Sequence, residues 1–98
     1  MALITPIIFD IGAFDANDDY TMSFYVTGGD QVTKNEIQIT NNTTSAIVFT
    51  NTVFSYTYTH VIPKGKLSNG VMYSIKVRTY NSKNEVSAWS NPVVFTCY

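Results

Sequence analysis

Two stretches of strict alternation constrain this chain more than any other feature in it. In "YTMSFYVT" (residues 20–27), Met22, Phe24 and Val26 fall on one side, and Thr21, Ser23, Tyr25 and Thr27 on the other. In "YSIKVRTY" (residues 73–80), Tyr73, Ile75, Val77 and Thr79 oppose Ser74, Lys76, Arg78 and Tyr80. A period of two puts one face in a core and the other in water, as in an antiparallel sheet, and does not fit a helix over those spans.

Shorter runs fill the space around these two. "TPIIFDI" reads as a first strand, with Pro6 tolerable where a strand starts or lies at an edge. "EIQIT" turns Ile37 and Ile39 inward, and "AIVFT" follows the polar turn "NNTTS". "FSYTYTHV" sets Phe54, Tyr56 and Tyr58 against Ser55, Thr57 and Thr59, and "PVVFTC" aligns Val93, Phe95 and Cys97. Between the runs lie "FDANDD", "TGGD", "NNTT", "PKGKLSNG" and "NSKNE", whose Gly, Asn and Asp suit turns. Seven short strands separated by turn clusters predict an all-β, seven-stranded antiparallel sandwich, and 98 residues make it one domain over 1–98.

Composition narrows the functional classes. Net charge is −1 with no run of Lys or Arg, so no basic patch for nucleic acid is visible. No apolar stretch approaches the roughly 20 residues of a membrane-spanning helix, so membrane insertion is not expected. The opening "MALITPIIFDIGAFD" lacks a basic region, and Pro6 and Asp10 break its apolar run, so it does not read as a signal peptide. A single cysteine, Cys97, allows no internal disulfide and reads as a small buried hydrophobe.

Candidate chemistry is sparse. His60 is the only histidine, so a zinc site or a Ser-His-Asp set would have to be built on it, and it reads instead as a strand histidine at a sheet edge. Asp15, Asp18 and Asp19 cluster with Asn17 in a turn that could offer oxygens to calcium, yet the spacing is not that of an EF-hand and an Asx-rich turn explains it. "TGGD" (residues 27–30) lacks the Lys and helix of a phosphate loop. Asn41 and Asn42 each head an N-x-Thr sequon that reads as a polar turn. The expectation is no catalytic set, no cofactor and no metal. Tyr25, Tyr58, Tyr80 and Trp89 form the candidate interaction surface, because aromatic side chains give large contact area at low entropy cost.

From Leu67 onward the order of features resembles the end of a fibronectin type III domain. In "LSNGVMYSIKVRTYNSKNEVSAWSNPVVFT", Leu67 precedes Tyr73 by six residues, the arrangement of a tyrosine corner, whose phenol bonds back to backbone. Tyr73, Ile75 and Val77 match the inward residues of the sixth strand, and Ser90 and Pro92 the entry into the last. The family carries a Trp on the second strand; here that strand offers Phe24 and Val26, which makes Phe24 the substitute at the centre.

An Asn/Thr/Tyr-rich, weakly charged sandwich opening on Met without an export signal is also similar to domains of bacteriophage tail-fibre and baseplate proteins. Such parts are made in host cytosol and need neither leader nor disulfides. The resemblance implies a non-enzymatic attachment module in the virion, meeting other tail proteins or the host surface, with a homo-oligomer among the forms expected. A carbohydrate-binding or spacer module of a secreted bacterial glycoside hydrolase is the alternative, favoured if Tyr25, Tyr80 and Trp89 share one face.

Overall fold

The structure, a computed structural model, describes residues 4–26, 31–54 and 58–98. The "TGGD" turn and Ser55, Tyr56 and Thr57 lie outside the described residues. Among the described residues seven strands run in order: β1 (Ile7–Ile8), β2 (Tyr20–Tyr25), β3 (Lys34–Asn41), β4 (Ile47–Val53), β5 (Thr59–Ile62), β6 (Met72–Tyr80) and β7 (Val93–Thr96). They form two antiparallel sheets, one ordered β1-β2-β5 and the other β4-β3-β6-β7.

The alternation read from the sequence becomes the core. Met22 and Phe24 from β2, Ile62 from β5, Ile37 and Ile39 from β3, and Tyr73, Ile75 and Val77 from β6 are all buried, meeting where the inner faces of the sheets pack together. Their outward neighbours Thr21, Ser74, Lys76 and Arg78 are exposed or half-buried. Phe14 closes one end by stacking on Tyr20 at 4.2 Å and on Phe95 at 5.5 Å.

The first and fifth strands differ from expectation. "TPIIFDI" pairs with β2 only through Ile7 and Ile8; the chain then crosses to the other sheet, where Phe14 bridges Cys97 in parallel. In "FSYTYTHV", Phe54 does not point inward: it is 80% exposed, and the strand begins only at Thr59. The same phase buries His60 and Ile62 instead. His60 does lie on an edge strand, but its imidazole faces the core.

The turns are held by side chains of the types that select them. Asn41 Oδ1 accepts from the N–H groups of Thr43 and Thr44 between β3 and β4. Asn81 Oδ1 does the same for Lys83 and Glu85 after β6. Gly70, at φ 81°, reverses the chain before β6 in the left-handed region open to glycine.

Before β6, the Ser68 N–H donates to the Tyr73 hydroxyl at 2.9 Å, with Leu67 and the Tyr73 ring both buried. Tyr73→Phe leaves that N–H without its acceptor, and the expected loss is about 1 kcal/mol. In a domain of this size that is a fall in Tm of roughly 4–8 °C, to be read by calorimetry. An unchanged Tm would mean that water replaces the phenol at no cost.

Candidate functional site

The four aromatic residues singled out in the sequence occupy three separate places. Tyr80 and Trp89 share the outer face of the four-stranded sheet. Tyr25 lies on the outer face of the three-stranded sheet, its ring 4.9 Å from that of Phe9. Tyr58, 40% exposed, stands just before β5 and meets the buried Phe24 edge-on at 5.5 Å. Tyr25 is therefore on the opposite side of the sandwich from Tyr80 and Trp89.

Around Tyr80 and Trp89 the outer face carries an ordered series of rings and cations. β6 presents Lys76, Arg78 and Tyr80 on one face because they are two apart. The Trp89 ring covers this row, 4.7 Å from the Lys76 ammonium and 4.3 Å from the Arg78 guanidinium. Lys34 lies 4.1 Å from the Tyr80 ring and 5.4 Å from that of Phe54. Glu36 on β3 links the row, its Oε1 accepting from Arg78 Nε at 2.8 Å and from the Tyr80 hydroxyl at 3.0 Å.

This network sets the protonation states. Partial burial pushes the Glu36 carboxyl up, but hydrogen bonds from Arg78 and Tyr80, with the charges of Arg78 and Lys34, outweigh it and hold it below its usual range. The hydrogen bond to Glu36 raises Arg78, and burial followed by that same carboxylate raises Tyr80. The centre of the row is thus a carboxylate that accepts from a guanidinium and a phenol.

Trp89 is held by the serines on either side of it. Ser87 Oγ accepts from the Thr79 N–H and Ser90 Oγ from the Val77 N–H, each at 3.0 Å, while the serine N–H groups donate to the carbonyls of the same two residues. Both serines are buried, and their hydroxyls act where an adjacent strand would supply carbonyls. The Ser87 role was not read from the sequence; the signal was its three-residue spacing from Ser90 around an aromatic residue.

The outer face of the three-stranded sheet is of a different character. Ile7, Phe9, Thr21, Ser23, Tyr25, Thr59 and Val61 point outward from it, and none carries a charge. Ile7, Phe9 and Val61 are each about half exposed. A cleft of about 320 Å³, lined by Thr5, Pro6, Ile7, Ile8, Asn91 and Val93, opens beside β1 and contains no titratable side chain.

The aspartate turn is tied into the fold. Asp15 Oδ1 accepts from Asn17 N–H and Asn69 Nδ2, Asp19 Oδ1 accepts from Lys64 N–H, and Ala16 N–H reaches Asn69 Oδ1. These bonds pin the turn to the loop before β6, and the Asn69 contact first, then the backbone, holds the Asp15 carboxyl below its usual range. Among the described residues, no three His, Cys, Asp or Glu side chains gather to hold a metal ion. Burial, then the charge of Asp15, raises the Cys97 thiol, which keeps it protonated.

Comparison of sequences finds no matching family model and no matching curated protein. Solved structures do match. One described as a myokine structure aligns over 97% of both chains with a TM-score of 0.79 at 18% identity. CopC from Methylosinus trichosporium OB3b aligns over 94% of this chain and 92% of its own, with a TM-score of 0.59 at 15% identity. The fold is an immunoglobulin-like β-sandwich. At such identities the likeness concerns the backbone and says nothing of ligand or activity.

Proposed function

We propose that this chain is a fibronectin type III-like module that attaches one protein to another without catalysing a reaction, as a component of a bacteriophage tail or baseplate. Two details support the fibronectin type III kind. The fourth strand pairs with the third, in the sheet of β6 and β7, whereas a constant-type immunoglobulin sandwich keeps its fourth strand in the sheet of the first, second and fifth. The bond between Tyr73 and Ser68 has the form of the tyrosine corner expected from the resemblance to that family.

The attachment reading is carried by the uncharged outer face of the three-stranded sheet, where Ile7 and Phe9 lie exposed beside Tyr25, and Val61 stands farther along, opposite Thr21. Contiguous exposed apolar surface on a small domain marks a place where something binds. Branched and aromatic side chains on a sheet are already ordered, so covering them costs little conformational entropy. The tail or baseplate assignment rests on composition, in which Asn, Thr and Tyr stand in place of charge.

The test is to raise antibodies against the purified domain and apply them, gold-labelled, to virions grown on the source host. Gold on tails or baseplates is the expected result. Virions that carry none, with the chain found instead among secreted glycoside hydrolases, would overturn the assignment in favour of a spacer.

A further inference from the structure

Among the described residues β4 is the longest edge strand, and it lacks the usual protection of an edge. It pairs with β3 on one side, and among the described residues nothing pairs with its other side. Proteins guard such edges with Lys, Pro, bulges or short length. Over residues 46–54, "AIVFTNTVF", there is no charge and no proline. The one register shift lies at the start of the strand, opposite Ile39 and Thr40, and leaves Phe49 to Val53 in regular pairing. The other edges are shorter: β1 has 2 residues, and β5 and β7 have 4 each, against 7 in β4.

The ladder identifies which backbone groups are open. Asn42 N–H donates to the Met72 carbonyl, towards β6, while Asn41 N–H donates to the Ala46 carbonyl, towards β4. Alternate residues of a strand bond to opposite sides, and β3 pairs with β6 without interruption, so its odd-numbered residues bond to β4. Their partners Phe49, Asn51 and Val53 turn N–H and C=O towards β3. Thr50 and Thr52 turn theirs outward.

The sequence of this edge is complementary to itself. Reading outward from Asn51, Thr50 answers Thr52, Phe49 answers Val53, and Val48 answers Phe54. Every position thus meets its own chemical kind when a second strand runs antiparallel about Asn51. In that register Thr50 faces Thr52 of the second copy, and the two residues with open backbone groups become hydrogen-bonded pairs. Phe49 against Val53 is an aromatic–branched pair, and Thr against Thr is likewise a favourable cross-strand pair. A register slipped by one residue would set the half-buried Phe49 and Val53 side chains on the wrong face. Charge does not oppose the arrangement: the nearest anions, Glu36 on β3 and Glu36 of the second copy, would lie three strand spacings apart, about 14 Å, beyond the screening length at physiological salt.

We infer that two copies of this chain join β4 to β4 about Asn51, merging two four-stranded sheets into one of eight strands. The interface is isologous and closes at the dimer, because each copy's open edge is consumed by the other's. This deepens the attachment reading by naming one partner, a second copy, and it uses a surface separate from the Ile7–Phe9–Tyr25 face, which stays free in the dimer.

Light scattering across a wide concentration range should show a species of twice the 11.0 kDa chain mass. The double substitution T50K/T52K, at two exposed positions, sets ammonium against ammonium across the pairing and should leave a monomer with an unchanged Tm. Hydrogen exchange of the unsubstituted chain supplies a second readout if that variant fails to fold. The Thr50 and Thr52 amides should exchange freely when dilute and gain at least tenfold protection on association. A chain that stays monomeric throughout, an oligomer growing beyond the dimer, or a dimer whose Thr50 and Thr52 amides stay unprotected would each overturn the inference. Gold-labelled virion tails with a monomeric domain would refute the pairing alone, whereas a dimer absent from virions would refute the assignment to the tail alone.

Discussion

Phe24→Ala is expected to destabilise the sandwich by about 3–5 kcal/mol, the range for removing a buried aromatic side chain from a packed core. Phe24 is 1% exposed, and its backbone pairs with Ile8 on one side and donates to the Tyr58 carbonyl on the other. Its ring meets Tyr58 edge-on at 5.5 Å and His60 at 6.2 Å, so truncation removes contacts on both neighbours. Interlocked strands on both sides of β2 leave little freedom to collapse into the void, which places the cost towards the upper end. A domain of this size has about 5–15 kcal/mol in total, so the variant should unfold at markedly lower denaturant, or fail to fold at 37 °C. Denaturant titration monitored at Trp89 measures it. A loss below about 2 kcal/mol would show that Phe24 is not the centre of this core.

The outer-face network should matter far less to stability, for a reason visible in its geometry. Arg78 and Glu36 are 30% and 22% exposed, so solvent screens the pair and its worth is at most about 1 kcal/mol. What the row of Lys76, Trp89, Arg78, Tyr80 and Lys34 gains is order, since each long side chain is held by a neighbouring ring. The mechanical centre of the molecule and its most elaborate surface are therefore different places. A substitution can change one with little effect on the other.

Period-two patterning accounts for most of what could be read from the sequence. Met22 and Phe24, Ile37 and Ile39, and Tyr73, Ile75 and Val77 declare their inward face because apolar residues recur at every second position, with polar ones between them. "FSYTYTHV" misled because every second residue is aromatic or imidazole, and alternation reports phase but not which end of a run enters the sandwich; Phe54 stayed out and His60 went in. The scatter of Tyr25, Tyr58, Tyr80 and Trp89 was equally hidden, since sheet membership depends on long-range pairing that no local pattern encodes. The role of Ser87 was hidden as well, because accepting from the Thr79 N–H is defined by a strand eight residues away. Asn35 gave no signal either: a polar residue at the start of a strand gives no hint that a histidine in the opposite sheet needs it.

That histidine should make the fold sensitive to mild acid. The His60 imidazole is 2% exposed on β5, and its Nε2 meets Asn35 Oδ1 on β3, a polar link between the two sheets inside the core. With Oδ1 accepting, Nε2 carries the proton of the neutral ring and Nδ1 is bare; among the described residues Nδ1 has no hydrogen-bond partner. Protonation would place a charge in the core with a second N–H unsatisfied, and burial accordingly lowers the His60 pKa from 6.5 to about 4. Between those values the unfolded chain binds a proton that the folded one does not, so stability falls as pH drops from about 6.5 and levels off below about 4. The difference corresponds to about 3 kcal/mol, comparable with the Phe24 truncation. Denaturation of the natural chain and of His60→Leu at a series of pH values isolates the effect, because carboxylate titration is common to both and cancels in the difference. The natural chain should lose about 3 kcal/mol more than the variant between pH 7 and pH 4, and its imidazole should titrate by NMR near pH 4. Equal slopes, or an imidazole titrating near 6.5, would mean that water reaches His60 and that the link between the sheets is open to solvent.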